Sequence, residues 1–310
     1  YGLMRAVRGI LGIETGLPRY EVKSSDVVLH VDESVTPIRP YICCAIVRFS
    51  RITESIIRWI MVCQESLHWV CGRNRRRASI GVYDFDTLTP PFTYLGIPKN
   101  EIKFVPLGFT KELRGEEILS IHPKGKTFAH LLSQFDRYPI LRDSKGNVLS
   151  MPPIINSHNT RVTPRTKNLF VDVTGLNLFD TLRTLNVFVC SLAEMGGSLE
   201  SVKIIYPDKE FVTPDPVPKT LEFDIKMVYD WLGFEIPTSH IIASLEKLRY
   251  KAEPINEKLK VFIPVYRVDI LHPVDIIEDI ATGYGYSNIK PTLISDFTIG
   301  EFAPEEEFSN

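Results

Sequence analysis

The 310-residue sequence has few features of a membrane or secreted protein. No apolar run approaches the ~18 residues that cross a bilayer, so no membrane span is predicted. The five cysteines show neither a CxxC pair nor a spacing with histidine typical of zinc, and such an odd, scattered set indicates reduced, mostly buried thiols. Cys63 and Cys71 fall in a helix-like segment and are interpreted as core fillers. We therefore predict a cytoplasmic protein.

The common catalytic fingerprints are also missing. GxxxxGK[ST] and GxGxxG do not occur, so a glycine loop that cradles nucleotide phosphates has no support. GxSxG and HExxH do not occur either. His68 and His130 have no acid and nucleophile nearby and are interpreted as structural. The net charge of −2 gives no global basic footprint, so any contact with nucleic acid must be local.

The first residues, YGLMRAVRGILGIETGLP, contain neither an initiator methionine nor a signal-peptide cleavage pattern. Leu3, Val7, Ile10 and Leu11 predict a short amphipathic helix that ends in the segment from Gly12 to Pro18. A chain that begins in this way is expected to be a fragment of a longer protein.

Hydrophobic periodicity predicts a first unit that mixes strands and helices. The predicted elements are two β-rich runs in residues 26–49, a helix over 54–70, a strand after the basic turn at 73–77, a short helix at KTFAHLLSQF, a strand-rich region from Tyr138 to Gly175 with a hairpin turn at DSKGN, a long helix at LNLFDTLRTLNVFVCSLAEMGG, and a strand at SVKIIYP. In the helix over 54–70, the inward positions are predicted to be Ile56, Ile60, Cys63, Leu67 and Val70.

The segment TPDPVPK is the clearest boundary, because three prolines in five residues make a stiff connection. A compact α+β unit is predicted beyond it. Its predicted elements are helices at DIKMVYDWLG and TSHIIASLEKL, the second capped by Thr238 or Ser239, a strand at KLKVFIP, and a helix after Pro273. The acidic end APEEEFSN is predicted to be disordered.

The strand-like stretch NLFVDVTG combines an apolar face with a mixed one. Leu169, Val171 and Val173 would point one way, and Phe170, Asp172 and Thr174 the other. If the second face is solvent, Phe170 is misplaced; if it is core, Asp172 needs a partner. The residues alone leave open whether Asp172 and Thr174 are solvated, satisfied in the core, or the wall of a pocket.

The densest positive cluster is RNRRR, with Arg73, Arg75, Arg76 and Arg77. It is consistent with a solvated turn after a helix C-terminus, where cations suit the helix dipole. It is also consistent with a patch that contacts RNA phosphates.

Acidic residues gather near the end of the sequence. Asp275, Glu278 and Asp279 share a helix face at i, i+3 and i+4, and Asp269 lies six residues upstream. Close carboxylates repel each other unless a cation or a partner's Lys or Arg neutralises them. Acids in a first helical turn are alternatively favoured by the helix dipole, so both interpretations stay open.

Four long segments resemble one family. They are LHWVCGRNRRRASIGVYDFDT, VLSMPPIINS, TKNLFVDVTG and RVDILHPVDIIEDIATGYGYSNIKP. They occur in this order and at similar spacing in the β subunit of archaeal and eukaryotic phenylalanyl-tRNA synthetase, and the resemblance covers nearly the whole chain.

The resemblance implies an α+β fold made of a mixed α/β B3/4-like editing domain and a small α+β B5 domain that resembles helical DNA-binding modules. The implied domains are a linker helix at 1–20, the editing domain at 21–212, the B5-like domain at 213–291, and at 292–310 the start of a catalytic-like module or a disordered tail. A DNA function does not follow from such fold-level similarity.

The editing domain of this family hydrolyses tyrosine wrongly esterified to the phenylalanine tRNA. An apolar synthetic pocket rejects an added hydroxyl only ~10²-fold, so a second site is needed. Matching the family's editing pocket residue by residue gives Leu141, Ser150, Asp172 and Thr174. Leu141 would line the wall, Ser150 and Thr174 would bind polar groups or water, and Asp172 would contact the tyrosyl hydroxyl or the α-ammonium. We expect direct attack by water, since no histidine–nucleophile pair is visible.

The resemblance further implies a Mg²⁺ site shared with the α subunit, with Asp269, Asp275, Glu278 and Asp279 matching the family's D-x5-D-x2-ED pattern. The implied partners are the α subunit, in a heterotetramer of two α and two β chains, and tRNA(Phe), with Tyr-tRNA(Phe) as the editing substrate. ATP would bind only in the whole enzyme, because no class II adenylation motif is present. The alternative function is a non-catalytic module for subunit assembly and tRNA docking, with an inert pocket.

Overall fold

A computed structural model of the protein describes residues 2–291 and Gly300. The helices are α1 Gly2–Ile10, α2 Glu54–Val70, α3 Gly115–Ile121, α4 Pro123–Phe128, α5 Leu178–Glu194, α6 Ile225–Leu232, α7 Thr238–Lys247 and α8 Pro273–Tyr284. The strands are β1 Val22–Lys23, β2 Val28–Val31, β3 Tyr41–Arg48, β4 Ala78–Asp84, β5 Phe92–Pro98, β6 Lys103–Phe104, β7 Leu113–Arg114, β8 Arg137–Arg142, β9 Val148–Met151, β10 Ile155–Asn156, β11 Asn168–Gly175, β12 Ser198–Ile205, β13 Glu210–Thr213, β14 Lys219–Asp224, β15 Lys251–Ile255 and β16 Lys258–Ile263.

One large mixed sheet organises the first unit. Its strand order is β10-β9-β8-β5-β2-β12-β3-β11-β4, and β1 and β13 also pair with β12. The sheet curls until its two ends meet. The contact between the ends includes a hydrogen bond from the Asn156 side-chain amide on β10 to the Val82 carbonyl on β4, at 3.1 Å. This curvature brings β9 and β4, which are far apart in the strand order, to the same place.

The strand β11 lies between β3 and β4 and is buried on both faces. Leu169, Val171 and Val173 pack in a core with residues of α2 and α5. Phe170 points into a second core inside the curled sheet, where its ring centroid lies 4.4 Å from that of Phe92. The mixed face of NLFVDVTG is therefore not solvent, and Asp172 is only 1% exposed.

The second unit has its own core. A three-stranded sheet in the order β14-β16-β15 packs with α6, α7 and α8 around residues that include Val228, Leu245 and Ile276. The connection to the first unit runs through the predicted proline-rich segment. Thr213 belongs to the first sheet, since it pairs with Val202 and its hydroxyl bonds to the backbone of Cys44.

Most predicted elements are confirmed, with local differences. The helix over 54–70 is present and is capped by Thr53, whose hydroxyl accepts from Ile56 N at 3.2 Å. Val70, predicted to point inward, is instead 65% exposed because it ends the helix. The predicted cap of α7 by Thr238 or Ser239 is wrong: Pro237 holds that position without a side-chain hydrogen bond.

The hairpin at DSKGN and the long helix α5 are also confirmed. The helix α3 and the strands β1, β5, β6, β7, β13, β14 and β15 were not predicted. Most of these strands are short, and all depend on neighbouring strands for pairing. The segment 292–310 lies, apart from Gly300, outside the described residues. Among the described residues, no helix has the length and apolar character needed to cross a membrane.

Candidate active site

A cavity of about 250 Å³ opens where the two ends of the curled sheet meet α2 and the loop at 73–77. Its lining includes Gln64, Glu65, His68, Arg75, Ser79, Gly81, Tyr83, Lys124, Ser150, Pro153, Asn156 and Asp172. The volume lies just below the ~300–1,000 Å³ of sites for drug-sized ligands, so it suits a group about as large as one amino acid.

Three buried polar side chains form the floor of this cavity. The Tyr83 hydroxyl, from β4, is hydrogen bonded to Asp172 Oδ1, from β11. The same hydroxyl lies 2.8 Å from Ser150 Oγ, from β9. Because a phenol carries one proton, Ser150 donates to Tyr83 when Tyr83 donates to the carboxylate. The curvature of the sheet is what makes this three-strand chain possible.

The Asp172 carboxyl has an unusual protonation equilibrium. Burial raises its pKa to about 7, although the hydrogen bond from Tyr83 and the positive charge of Arg39 act in the opposite direction. Near neutral pH this group therefore exchanges between acid and carboxylate, which is the condition for accepting a proton from water or from a substrate.

Gly81 makes room for this arrangement. It lies directly opposite Asp172 in the β4–β11 ladder. A β-carbon at this position would come within 2.1 Å of the Tyr83 hydroxyl oxygen and 2.2 Å of Asp172 Oδ1. Only a residue without a side chain leaves space for the two polar groups to meet.

The other two residues of the predicted pocket do not line the cavity. Leu141 is fully buried in the core inside the curled sheet, where it pairs with Ser150 across β8 and β9. Thr174 is also fully buried, and its hydroxyl lies 3.0 Å from Ser79 Oγ, which does line the cavity. Both are thus placed behind lining residues, where they support Ser150 and Ser79.

A buried arginine holds the Thr174 end of β11. Arg39 is 3% exposed; its Nε donates to Thr174 Oγ1 at 2.9 Å and its Nη2 to the Thr174 carbonyl at 2.6 Å. The same Nη2 donates to Ser79 Oγ at 3.3 Å. Its positive charge favours the ionised form of Asp172.

Charged side chains line another part of the cavity. Glu65, on α2, accepts hydrogen bonds from Arg75 at 3.0 Å and from Lys124 at 2.7 Å. His68 Nε2 accepts from Ile80 N at 2.8 Å, and burial lowers the pKa of this imidazole. His68 is therefore a neutral residue of the cavity wall that is held by a backbone hydrogen bond. This agrees with the interpretation of His68 as a structural histidine.

The arginine run splits into one buried and three exposed residues. Arg75 is 7% exposed and donates to the carbonyls of Pro153 and Ile154 at 3.1 and 2.9 Å, so the interpretation as a solvated turn does not hold for it. Left-handed backbone angles at Arg73, Asn74 and Arg75 turn its side chain inward. Arg73, Arg76 and Arg77 are exposed, and contact between these residues and RNA stays a prediction.

The four acidic residues of the second unit are separated by other partners. Arg267 neutralises Asp269 and Asp279, each with an Arg267 nitrogen 2.7 Å away. Asp275 caps α8 by accepting from the backbone N–H groups of Leu271 and His272, both at 2.8 Å, and Glu278 is exposed. Within the described part of the chain, no three acidic, histidine or cysteine residues form a group that could hold a metal ion. These residues do not fit a Mg²⁺ site by themselves, and a site completed by another subunit stays a prediction.

Sequence reasoning missed Tyr83, Gly81 and Arg39. Tyr83 and Arg39 acquire their partners only through strand pairings between distant segments, which a single sequence does not reveal. Gly81 had a usable signal: an isolated glycine inside the apolar strand ASIGVYD marks a close approach of neighbouring groups.

Comparison with known proteins defines the class. Residues 221–286 match the family described as tRNA synthetase B5 domain, which places the second unit among the modules of aminoacyl-tRNA synthetases. The chain is 46% identical to the phenylalanine–tRNA ligase β subunit of Methanosarcina barkeri over 306 residues, which is 98% of this chain and 56% of that protein. It is also 46% identical to the β subunit of Pyrococcus furiosus over 292 residues, which is 94% of this chain and 52% of that protein.

A solved structure extends this agreement to the fold. An N-terminal fragment of the phenylalanyl-tRNA synthetase β subunit from Pyrococcus horikoshii matches with a TM-score of 0.87 and 45% identity, covering 90% of this chain and 81% of that one. The chain belongs to the phenylalanine–tRNA ligase β-subunit family, as the resemblance of its motifs implied, and the mixed α/β fold with a B5 domain is confirmed. It spans about half the length of the curated relatives that it matches.

Proposed function

We propose that this chain is the part of a phenylalanine–tRNA ligase that hydrolyses tyrosine wrongly esterified to tRNA(Phe). The observation that supports it best is the chain of Ser150, Tyr83 and Asp172 on the floor of a cavity of about 250 Å³. The matching relatives are phenylalanine–tRNA ligase β subunits, whose amino acid differs from tyrosine by one hydroxyl.

Such a site needs a polar group that recognises the extra hydroxyl. A cavity built to hydrogen-bond a hydroxyl discriminates strongly against a ligand that lacks it, because the buried polar groups are then left unpaired. Asp172 is the candidate: its carboxylate accepts a hydrogen bond from the tyrosyl hydroxyl or pairs with the α-ammonium of the ester. Tyr83 and Ser150 would exchange their mutual hydrogen bonds for bonds to the substrate or to a water molecule.

The hydrolytic step would use water without a covalent intermediate. Ser150 forms a hydrogen bond with Tyr83 and not with a histidine base. His68 Nε2 accepts a hydrogen bond from Ile80 N, so it does not activate a serine nucleophile. Of the two contacts named for Asp172, only the one with the α-ammonium, one carbon from the ester, also places its carboxyl near the attacking water. In that arrangement a carboxyl with a pKa of about 7 can take a proton from water as it attacks the ester carbonyl, and return it to the leaving ribose oxygen.

The wider context of the proposal is the whole ligase. Phenylalanine activation with ATP would take place on an α subunit, in a heterotetramer of two α and two β chains that binds tRNA(Phe). Asp269, Asp275, Glu278 and Asp279 would face that partner, which would supply the further oxygen ligands that Mg²⁺ requires.

Deacylation of charged tRNA tests the proposal. The chain is incubated with tRNA(Phe) carrying radiolabelled tyrosine or phenylalanine, and ester loss is followed against a blank without protein. We expect selective release of tyrosine, reduced by about 10²-fold or more in Asp172→Asn, in line with the usual contribution of a general base. Thr174→Ala should also release less tyrosine, because Ser79 loses the hydrogen bond that holds its side chain in the cavity wall.

The matched control is Asp136→Asn, which changes an exposed aspartate that does not line the cavity and should leave hydrolysis unchanged. If neither the unaltered chain nor the complete αβ ligase releases tyrosine, the pocket is inert and the chain is a non-catalytic module for assembly and tRNA docking. If Asp172→Asn is as active as the unaltered chain, the assignment of Asp172 is wrong.

A further inference from the structure

A second crevice, of about 260 Å³, lies away from the candidate active site, where the proline-rich link passes between α5 and the second unit. Its lining includes Phe179, Arg183 and Asn186 from α5, Asp215 and Lys219 from the link and β14, and Arg267. The proposed hydrolysis uses none of these residues.

Two cations share one aromatic ring at the mouth of this crevice. Phe179 is 47% exposed, with the Arg183 guanidinium carbon 4.6 Å and the Lys219 ammonium 4.2 Å from its ring centroid. Among the described residues, neither cation has a carboxylate within ion-pair distance. Burial and the nearby Arg183 charge lower the pKa of Lys219, as expected for like charges held together.

Cations held by a ring keep their N–H groups free. A carboxylate partner would occupy these donors, whereas a ring attracts the charge through its electron-rich face. Arg183 and Lys219 are thus held in place with their donors available to an anion.

A buried acceptor lies in the same crevice. Asn186 is 5% exposed; its Nδ2 donates to the Asp215 carbonyl at 2.7 Å, but its Oδ1 has no hydrogen-bond partner among the described residues. A buried acceptor without a partner is destabilising, so a ligand that brings a hydroxyl or amino donor would be favoured.

The remaining charged residues of the crevice do not cancel the positive charge of Arg183 and Lys219. Arg267 is neutralised by Asp269 and Asp279. Asp215 contributes one exposed carboxylate. Asp269 lies close enough to feel the charge of Arg183 but forms its ion pair with Arg267.

The 73–77 loop lies beside the start of α5, the helix that contributes Phe179 and Arg183 to the crevice. Arg77 Nη1 lies 3.8 Å from Asp180 Oδ2, one residue after Phe179, so this loop packs beside the start of α5. Arg73 and Arg76 are exposed on the same loop. Exposed positive charge on the loop therefore lies near the start of the helix that carries Arg183, although Asp180 offsets the charge of Arg77.

We infer that this crevice and the nearby 73–77 loop form an RNA-binding surface, in which Arg183 and Lys219 take backbone phosphates and Asn186 Oδ1 accepts from a ribose hydroxyl or base amine. A row of cations suits the regular charge of a nucleic-acid backbone, and the hydroxyl-rich sugar supplies the donor that Asn186 lacks. An acidic protein segment is the other ligand that such charges could take, and the experiment below separates the two.

Salt-dependent binding tests the inference. Fluorescence anisotropy gives the Kd of the 310-residue chain for uncharged tRNA(Phe) between about 50 and 200 mM KCl, a range in which phosphate contacts change affinity strongly. In Arg183→Gln/Lys219→Gln we expect affinity at low salt to fall roughly tenfold. The log Kd–log salt slope should decrease by about 1.4–1.8, the value for two lost phosphate contacts. Asn186→Leu removes the acceptor at similar size, together with the donor to the Asp215 carbonyl, and should weaken binding while leaving the slope unchanged.

The matched control is Arg51→Gln/Lys258→Gln, which removes one exposed arginine and one exposed lysine, neither ion-paired within the described residues, from other surfaces. An equal loss in the control, or none in the crevice variant, would overturn the inference. Displacement of the RNA by polyglutamate at the same charge concentration would also overturn it, in favour of an acidic protein partner. Uncharged tRNA carries no ester, so the outcome does not depend on whether the chain hydrolyses Tyr-tRNA(Phe).

Discussion

Gly81 and Asp172 face each other across the β4–β11 ladder, and the space left by the missing side chain of Gly81 holds both the Asp172 carboxyl and the Tyr83 hydroxyl. A hydrogen-bonded acid can be buried here because its partner reaches over a glycine. The pairing of two strands thus sets the polar floor of the cavity, and the environment of Asp172 follows from it.

The first prediction concerns Gly81→Ala. The added methyl would lie about 2 Å from two polar oxygens, so one of them must move. We expect stability to fall by about 1–3 kcal/mol, as for other overpacked interiors, and hydrolysis of Tyr-tRNA(Phe) to fall at least tenfold. Urea unfolding and deacylation assays measure the two effects.

Gly2→Ala is the control for this substitution, because nothing lies within 4 Å of a β-carbon there. On the exposed helix α1 the added methyl should leave stability unchanged or raise it by about 0.5–1 kcal/mol. A Gly81→Ala protein as stable and active as the unaltered chain would show that the floor can rearrange freely.

The second prediction concerns the Tyr83 hydroxyl. Its hydrogen bond lowers the pKa of Asp172, so Tyr83→Phe should raise that pKa above its present value of about 7. If the carboxylate is the active form, the rising part of the pH–rate profile for Tyr-tRNA(Phe) hydrolysis moves to higher pH. Tyr138→Phe, in a separate buried cluster, should leave the profile in place. A profile that stays fixed in Tyr83→Phe would argue against Asp172 as the titrating group.

The sequence predicted the features that depend on interactions between nearby residues, and it did not predict those that depend on contacts between distant segments. Helices α2 and α5 follow from local periodicity and caps, and they are where the sequence places them. The sequence alone could not show whether the face of β11 with Phe170 and Asp172 is buried. Both faces of this strand become interior only when the sheet curls.

The same distinction explains the residues around β11. Matching to the family placed Ser150 and Asp172, which line the cavity, and also Leu141 and Thr174, which stand behind it. Tyr83 lies between Ser150 and Asp172, yet its role depends on contact between β4 and β9, strands at opposite ends of the sheet order. No local pattern encodes that contact.

The third prediction is a pH dependence of stability. The folded state raises the pKa of Asp172 from its ordinary 3.8 to about 7, so it binds the proton more tightly than the unfolded chain. Below about pH 4 the contribution of this group to the free energy of unfolding is complete. The contribution falls as pH rises from about 4 to 7, and above that the free energy of unfolding no longer changes with this group. Across this range the loss is on the order of 4 kcal/mol.

Asp172→Asn isolates this contribution, since asparagine has nearly the same shape and does not titrate. Other titrating groups are shared by both proteins and cancel in the difference between their free energies of unfolding. We expect the variant to gain stability relative to the unaltered chain as pH rises from about 4 to 8, measured by urea unfolding at each pH. Parallel pH curves would contradict the buried, proton-binding state of Asp172.

The fourth prediction concerns the acidic residues of the second unit. Arg267 supplies the positive charge for Asp269 and Asp279, so Mg²⁺ would have to displace it before binding there. We expect millimolar Mg²⁺ and EDTA to leave the Tm of the isolated chain unchanged. Arg267→Met should cost about 1.5–3 kcal/mol, the usual contribution of hydrogen bonds to charged groups, and should make the Tm rise with added Mg²⁺, because the two carboxylates then lack a cation. Arg51→Met, at an exposed position, is the control and should show neither change. A Tm of the unaltered chain that rises with Mg²⁺ would mean instead that these carboxylates bind the ion without another subunit.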